Sequence, residues 1–64
     1  MKIKYDAEVD ALVIRFSDAK IDESDEDRPG VILEYDKNGN VVKIEILKAS
    51  QRVGNPRKIE FEVA

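Results

Sequence analysis

Two stretches of this chain, thirty residues apart, read as the same hairpin, and that repetition limits the fold more than any other feature. Ile3 to Ile14 runs IKYDAEVDALVI and Leu33 to Ile44 runs LEYDKNGNVVKI: a strand closing on Tyr-Asp, a short polar turn, a second strand. In the later copy Asn38-Gly39 signals a two-residue type I′ turn, because both residues tolerate the positive φ that this turn demands. Pairing Lys37 with Asn40 then sets Tyr35 opposite Val42, Leu33 opposite Ile44 and Val31 opposite Ile46, with all six apolar side chains on one face. A slip of one residue would scatter them.

The earlier copy gives a matching register if its loop is Ala7-Glu8-Val9-Asp10, with Tyr5 opposite Leu12, Ile3 opposite Ile14 and Met1 opposite Phe16. Glu8-Val9 is costly in a type I′ turn, so a four-residue type I or single helical turn is expected. Asp6 should accept bonds from the following N–H groups, and Asp10 should take the left-handed position. Between the hairpins Ser17-Asp18-Ala19-Lys20 reads as a turn and Ile21-Asp22-Glu23-Ser24 as a short, charged edge strand. Asp25 to Gly30 then breaks the pattern, with Pro29 and Gly30 as punctuation.

After Leu47, residues 48–53 suit one or two helical turns, with Ala49 and Val53 on one side and Gly54 and Pro56 as stop signals. Ile59, Phe61 and Val63 alternate with Lys58, Glu60 and Glu62, which predicts a last strand. The expected fold is mainly β: one domain over residues 1–64, an antiparallel sheet of five or six strands built from two similar hairpins, with one short helix near 48–53.

The chemical inventory is thin. The chain has no His and no Cys, which removes the usual nucleophile and base pairs and the zinc sites made from those residues. Ser17, Ser24 and Ser50 have no His partner. Asp6 and Asp10 could pair for acid/base work, but a thin sheet offers little cleft around them, and turn capping accounts for both. The acidic run Asp22 to Asp27 has oxygen ligands for a hard cation but lacks the glycine and the twelfth-position glutamate of a calcium loop; it reads as a solvated edge. A non-enzyme is expected, with no catalytic, cofactor-binding or metal residues. Absence of cysteine and of any membrane-length apolar run points to a complete, cytoplasmic protein that does not enter membranes.

Charge is distributed unevenly. Residues 1–36 carry 11 acidic and 5 basic side chains, net −6, and residues 37–64 carry 3 acidic and 6 basic, net +3, summing to the overall −3. An acidic chain disfavours nucleic acid as a partner. Yet the segment 48–58 holds Lys48, Arg52, Arg57 and Lys58 with no acidic residue among them. These four are the candidate partner-binding residues, for an acidic protein surface or, as the alternative, for phosphates in a nucleic-acid-associated regulatory module.

Lys4-Tyr5-Asp6, the run from Asp10 to Phe16, the run from Pro29 to Asp36, the run from Gly39 to Leu47, and Ala49-Ser50 together resemble the short prokaryotic proteins catalogued as domain of unknown function twenty-two eighty-three. The resemblance spans nearly the whole chain; where relatives often have proline after Tyr-Asp, this chain has Ala7. It implies no activity and no catalytic residues. Members thought to lie beside small toxin-like proteins imply an antitoxin or partner-binding role. The expected function is therefore a non-enzymatic interaction module that binds a partner protein and self-associates. A homodimer is expected because one short helix, offering only Ala49 and Val53, is too little to cover the apolar sheet face.

Overall fold

The computed structural model describes all 64 residues and forms one five-stranded antiparallel sheet with one short helix. The strands are β1 (Lys2–Asp6), β2 (Ala11–Arg15), β3 (Glu23–Arg28), β4 (Val31–Tyr35) and β5 (Val41–Leu47), followed by α1 (Ala49–Arg52). They lie in the order β1-β2-β5-β4-β3. The two repeated hairpins, β1-β2 and β4-β5, thus sit side by side, joined through β2 and β5. The connection 16–22 carries the chain to the far edge, where β3 starts.

The first hairpin has the expected register: Tyr5 faces Leu12 and Ile3 faces Ile14. Asp10 is left-handed at φ 55, and the Glu8 N–H donates to Asp6 Oδ1 at 3.0 Å. The ladder stops at Lys2 opposite Arg15, so Met1 does not pair with Phe16. Instead the Phe16 N–H donates to the Val42 carbonyl at 2.7 Å, which continues β2 along β5.

The second hairpin corrects the expected turn. Asn38 does not have positive φ, whereas Gly39 does, at 82. The Gly39 N–H donates to the Asp36 carbonyl at 3.1 Å and the Asp36 N–H to the Asn40 carbonyl at 2.9 Å. This is a three-residue loop, a type I turn followed by left-handed glycine. It is favoured here because Asp36 Oδ1 accepts the N–H groups of Asn38 and Asn40, each at 2.9 Å. The longer loop shifts the pairing by one residue, so Tyr35 faces Val41 and not Val42. A bulge between Glu34 and Tyr35 returns that residue, and Leu33 meets Ile44 and Val31 meets Ile46 as the apolar pattern requires. Val42, the extra residue, is fully buried.

Two further expectations are corrected. The edge strand is Glu23–Arg28 rather than Ile21 to Ser24, and it includes acidic residues that read as a break. Low strand propensity is overridden because β4 offers a complete ladder, and an edge strand exposed at every residue tolerates charge. Pro29-Gly30, with Gly30 at φ 82, has the pattern of a type II turn. That turn fits strand twist poorly, and a register shift between Glu26 and Arg28 lies beside it. The sixth strand does not form: residues 59–64 have no strand assignment and no backbone hydrogen bond. Alternation makes a segment strand-compatible, but a strand needs a partner edge.

The molecule measures 32 × 32 × 19 Å overall, and only Ala11, Leu12, Val42 and Ala49 are buried. Pairing across the sheet puts Tyr5, Leu12, Ile46 and Val31 in one row of one face, and Ile3, Ile14, Ile44 and Leu33 in the next. Most of these side chains are only half-buried. The opposite face carries the row Lys2, Arg15, Lys43, Glu34, in which Lys43 Nζ bridges Glu34 at 2.9 Å and Glu45 at 3.5 Å. Those carboxylates, Glu34 first, hold the Lys43 ammonium above its ordinary pKa.

Candidate functional site

The first turn of the helix is held to the sheet by a residue from the other end of the sequence. β5 leaves the sheet at Lys48, whose left-handed backbone (φ 53, ψ 45) turns the chain sharply into α1 without offering a side-chain cap. Asp10 supplies what is missing: its carbonyl accepts the Ala49 N–H at 2.9 Å and its Oδ1 accepts the Ser50 N–H at 3.0 Å. Two helix donors that have no partner inside the helix are thereby satisfied. Asp10 Oδ2 also accepts the Ser50 hydroxyl, and Oδ1 the Tyr5 hydroxyl, both at 2.6 Å. The left-handed turn at Asp10 aims the carboxylate at both.

The electrostatics follow from these bonds. The Ser50 hydroxyl, then the Tyr5 hydroxyl, then the Ser50 N–H hold the Asp10 carboxyl below the ordinary range. The same Asp10 bond, with burial and the negative charge behind it, raises Tyr5. Arg57 opposes this, its guanidinium lying 5.7 Å from the centre of the Tyr5 ring. A carboxylate stabilised in its charged form is a weak base, and it accepts the Ser50 hydroxyl. The cluster behaves chemically as a clamp between β1, the first turn and α1.

The four basic residues occupy different places along the end of the sheet. Lys48 and Arg52 line a shallow cavity of about 260 Å³ with Pro29, Gly30 and Leu47. Arg52 donates to the Pro29 carbonyl, tying α1 to the β3-β4 turn, and Arg57 lies against Tyr5 at the other edge. Lys58 pairs with Glu60 at 3.2 Å, both side chains exposed. The segment 48–58 therefore spans the sheet end as a strap from β4 to β1, and the structure does not gather its charges into one patch. The contact from Asp10 to Ser50 was not visible in the sequence, although both residues lie in the motifs that carry the family resemblance. Nothing in local spacing signals a cap supplied from forty residues away.

The charge asymmetry of the two sequence halves is also redistributed. β5, from the basic half, lies between β2 and β4 of the acidic half, so the halves do not form two sides. The contrast instead runs edge to edge. β3 shows Glu23, Asp25, Glu26 and Asp27, and β1 shows Lys2 and Lys4. No helix is long and apolar enough to cross a membrane.

Fold and site together define a single-layer β module, with one apolar face left open and its helix clamped through Asp10. The chain belongs to the family described as protein of unknown function DUF2283, whose profile matches residues 2–50. Tyr5, Asp10 and Ser50 fall within that match; Arg52, Arg57 and Lys58 fall outside it. No curated protein and no solved structure shows a significant match to the chain.

Proposed function

We propose that this protein is a non-enzymatic interaction module that acts as a homodimer, two copies meeting through the open apolar face of the sheet. The observation that supports this most is the surface. A monomer of 7.3 kDa is expected to expose about 4,200 Å², and this chain exposes 5126 Å². The excess of about 900 Å² is close to the ~800 Å² that each partner contributes to a stable interface. Ile14, Leu33 and Ile44 of the apolar rows are only half-buried, and Ile59, Phe61 and Val63 are exposed. Most domains bury such a face beneath a second layer, and a second copy supplies that layer by two-fold symmetry. Binding of a partner protein is the second part of this reading, with the strap 48–58 as the surface for it.

The face is tested with Phe16→Glu, since Phe16 is 39% exposed at the rim of the apolar rows. Sedimentation equilibrium should show the wild type as a dimer and the variant as a folded monomer. A variant that dimerises with unchanged affinity would place the interface elsewhere. Titration with short DNA and RNA duplexes should show no salt-dependent binding; saturable binding lost in Arg52→Ala/Arg57→Ala would overturn the assignment of the strap to a protein partner.

A further inference from the structure

Resting on the dimer reading, we infer that residues 58–63 form a sixth strand, added to the free edge of β1 in the second copy. β1 pairs only with β2, so its other side is an open edge. Residues 59–64 make no backbone hydrogen bond, and Phe61 and Val63 are 84% and 78% exposed. An alternating strand without a partner and an edge without a partner are complementary in backbone terms.

The side chains select this edge and this direction. Antiparallel pairing of Ile59 with Tyr5 also sets Phe61 opposite Ile3 and Val63 opposite Met1, which extends the apolar face of the sheet by one strand. The same register sets Lys58 opposite Asp6, Glu60 opposite Lys4 and Glu62 opposite Lys2, so every charged pair on the other face is of opposite sign. Parallel pairing loses the contact between Lys58 and Asp6. The other free edge, β3, presents Glu23, Asp25, Glu26 and Asp27 and repels the two glutamates. Within one chain, Arg57 already lies against Tyr5 while the residues after it stay off the sheet. Both edge and segment thus stay open to a second copy, and a two-fold exchange satisfies two edges and two segments in one closed dimer.

The test mixes ¹³C,¹⁵N-labelled and unlabelled full chains, equilibrated as dimers, and records isotope-filtered NOEs together with amide exchange. The expected result is intermolecular NOEs between the Phe61 ring and the Ile3 methyls, with slow exchange at alternate amides of 59–63. Glu60→Lys/Glu62→Lys should remove that protection and weaken dimerisation by about tenfold. Adding Lys2→Glu/Lys4→Glu to the same chain should restore both. NOEs confined to one chain, or a charge reversal without effect, would overturn the inference. A species of twice the chain mass with rapidly exchanging amides at 59–63 would overturn it while leaving the apolar-face dimer standing. A mass of one chain would overturn both.

Discussion

Val42 is the most sensitive position in the sheet, and its replacement by alanine measures what the bulge contributes. The bulge places Val42 as the extra residue of β5, with no exposed surface, whereas its neighbour Val41 faces Tyr35 and is 38% exposed. Removing the two Val42 methyl groups forfeits about 1.6 kcal/mol of burial at ~0.8 kcal/mol per carbon. The cavity left behind raises the loss to about 2 to 3 kcal/mol. For a chain whose whole stability is ~6 kcal/mol, that is between a third and a half, and it should lower Tm by roughly 10 to 20 °C. Val41→Ala loses the same strand propensity but little burial, and should cost under about 1 kcal/mol. Urea melts of both variants at one fixed chain concentration, which self-association makes necessary, give the comparison. Equal losses for the two would refute the bulge as the device that turns Val42 inward.

Other perturbations separate the remaining devices. Gly39→Ala should cost about 1 kcal/mol from the backbone alone, because φ is +82 and a Cβ there would meet nothing within 4 Å; a neutral result in a thermal melt would argue against the left-handed turn. Gly30→Ala should cost more, since its Cβ would also come within 3.2 Å of the Arg52 guanidinium, and amide exchange of α1 would rise with it. Asp10→Asn keeps a residue that tolerates the left-handed turn but removes the charge. Asp10 is lowered in the folded state, so its contribution is present above about pH 4 and lost as pH falls through the lowered value. The variant should be less stable than wild type near pH 7 and converge with it in strong acid, and parallel melting curves across pH 2 to 7 would contradict the clamp. Tyr5 is raised in the folded state, so its contribution is lost as pH rises beyond about 10, which ultraviolet titration of folded and denatured protein should register as separate midpoints.

The sheet was legible in the sequence wherever side-chain alternation and local turn chemistry acted together. Pairings such as Ile3 with Ile14 and Leu33 with Ile44 follow from keeping apolar residues on one face, and the left-handed Asp10 follows from the four-residue loop. The Asn38-Gly39 turn did not, because Asp36 captures two loop N–H groups and so favours the longer loop, after which a bulge repairs the register. Two compensating one-residue shifts leave the outer pairs unchanged, so the apolar pattern is blind to both. The bounds of β3 are not legible for a related reason: edge strands do not need an apolar face, and the ladder from β4 outweighs the low propensity of Glu and Asp. The candidate site divides along the same line. The basic residues were visible as a charge run, but Arg52 on Pro29 and Arg57 on Tyr5 are tertiary contacts. Asp10 is legible as a turn residue, while its capping of α1 lies outside any local pattern.

Light scattering coupled to size exclusion at micromolar concentration, at low and at moderate salt, decides whether a second copy covers the open apolar face. A mass of twice 7.3 kDa that persists in moderate salt is expected, because apolar burial holds the interface and charged contacts at its rim only tune it. A mass of a single chain under both conditions would contradict it.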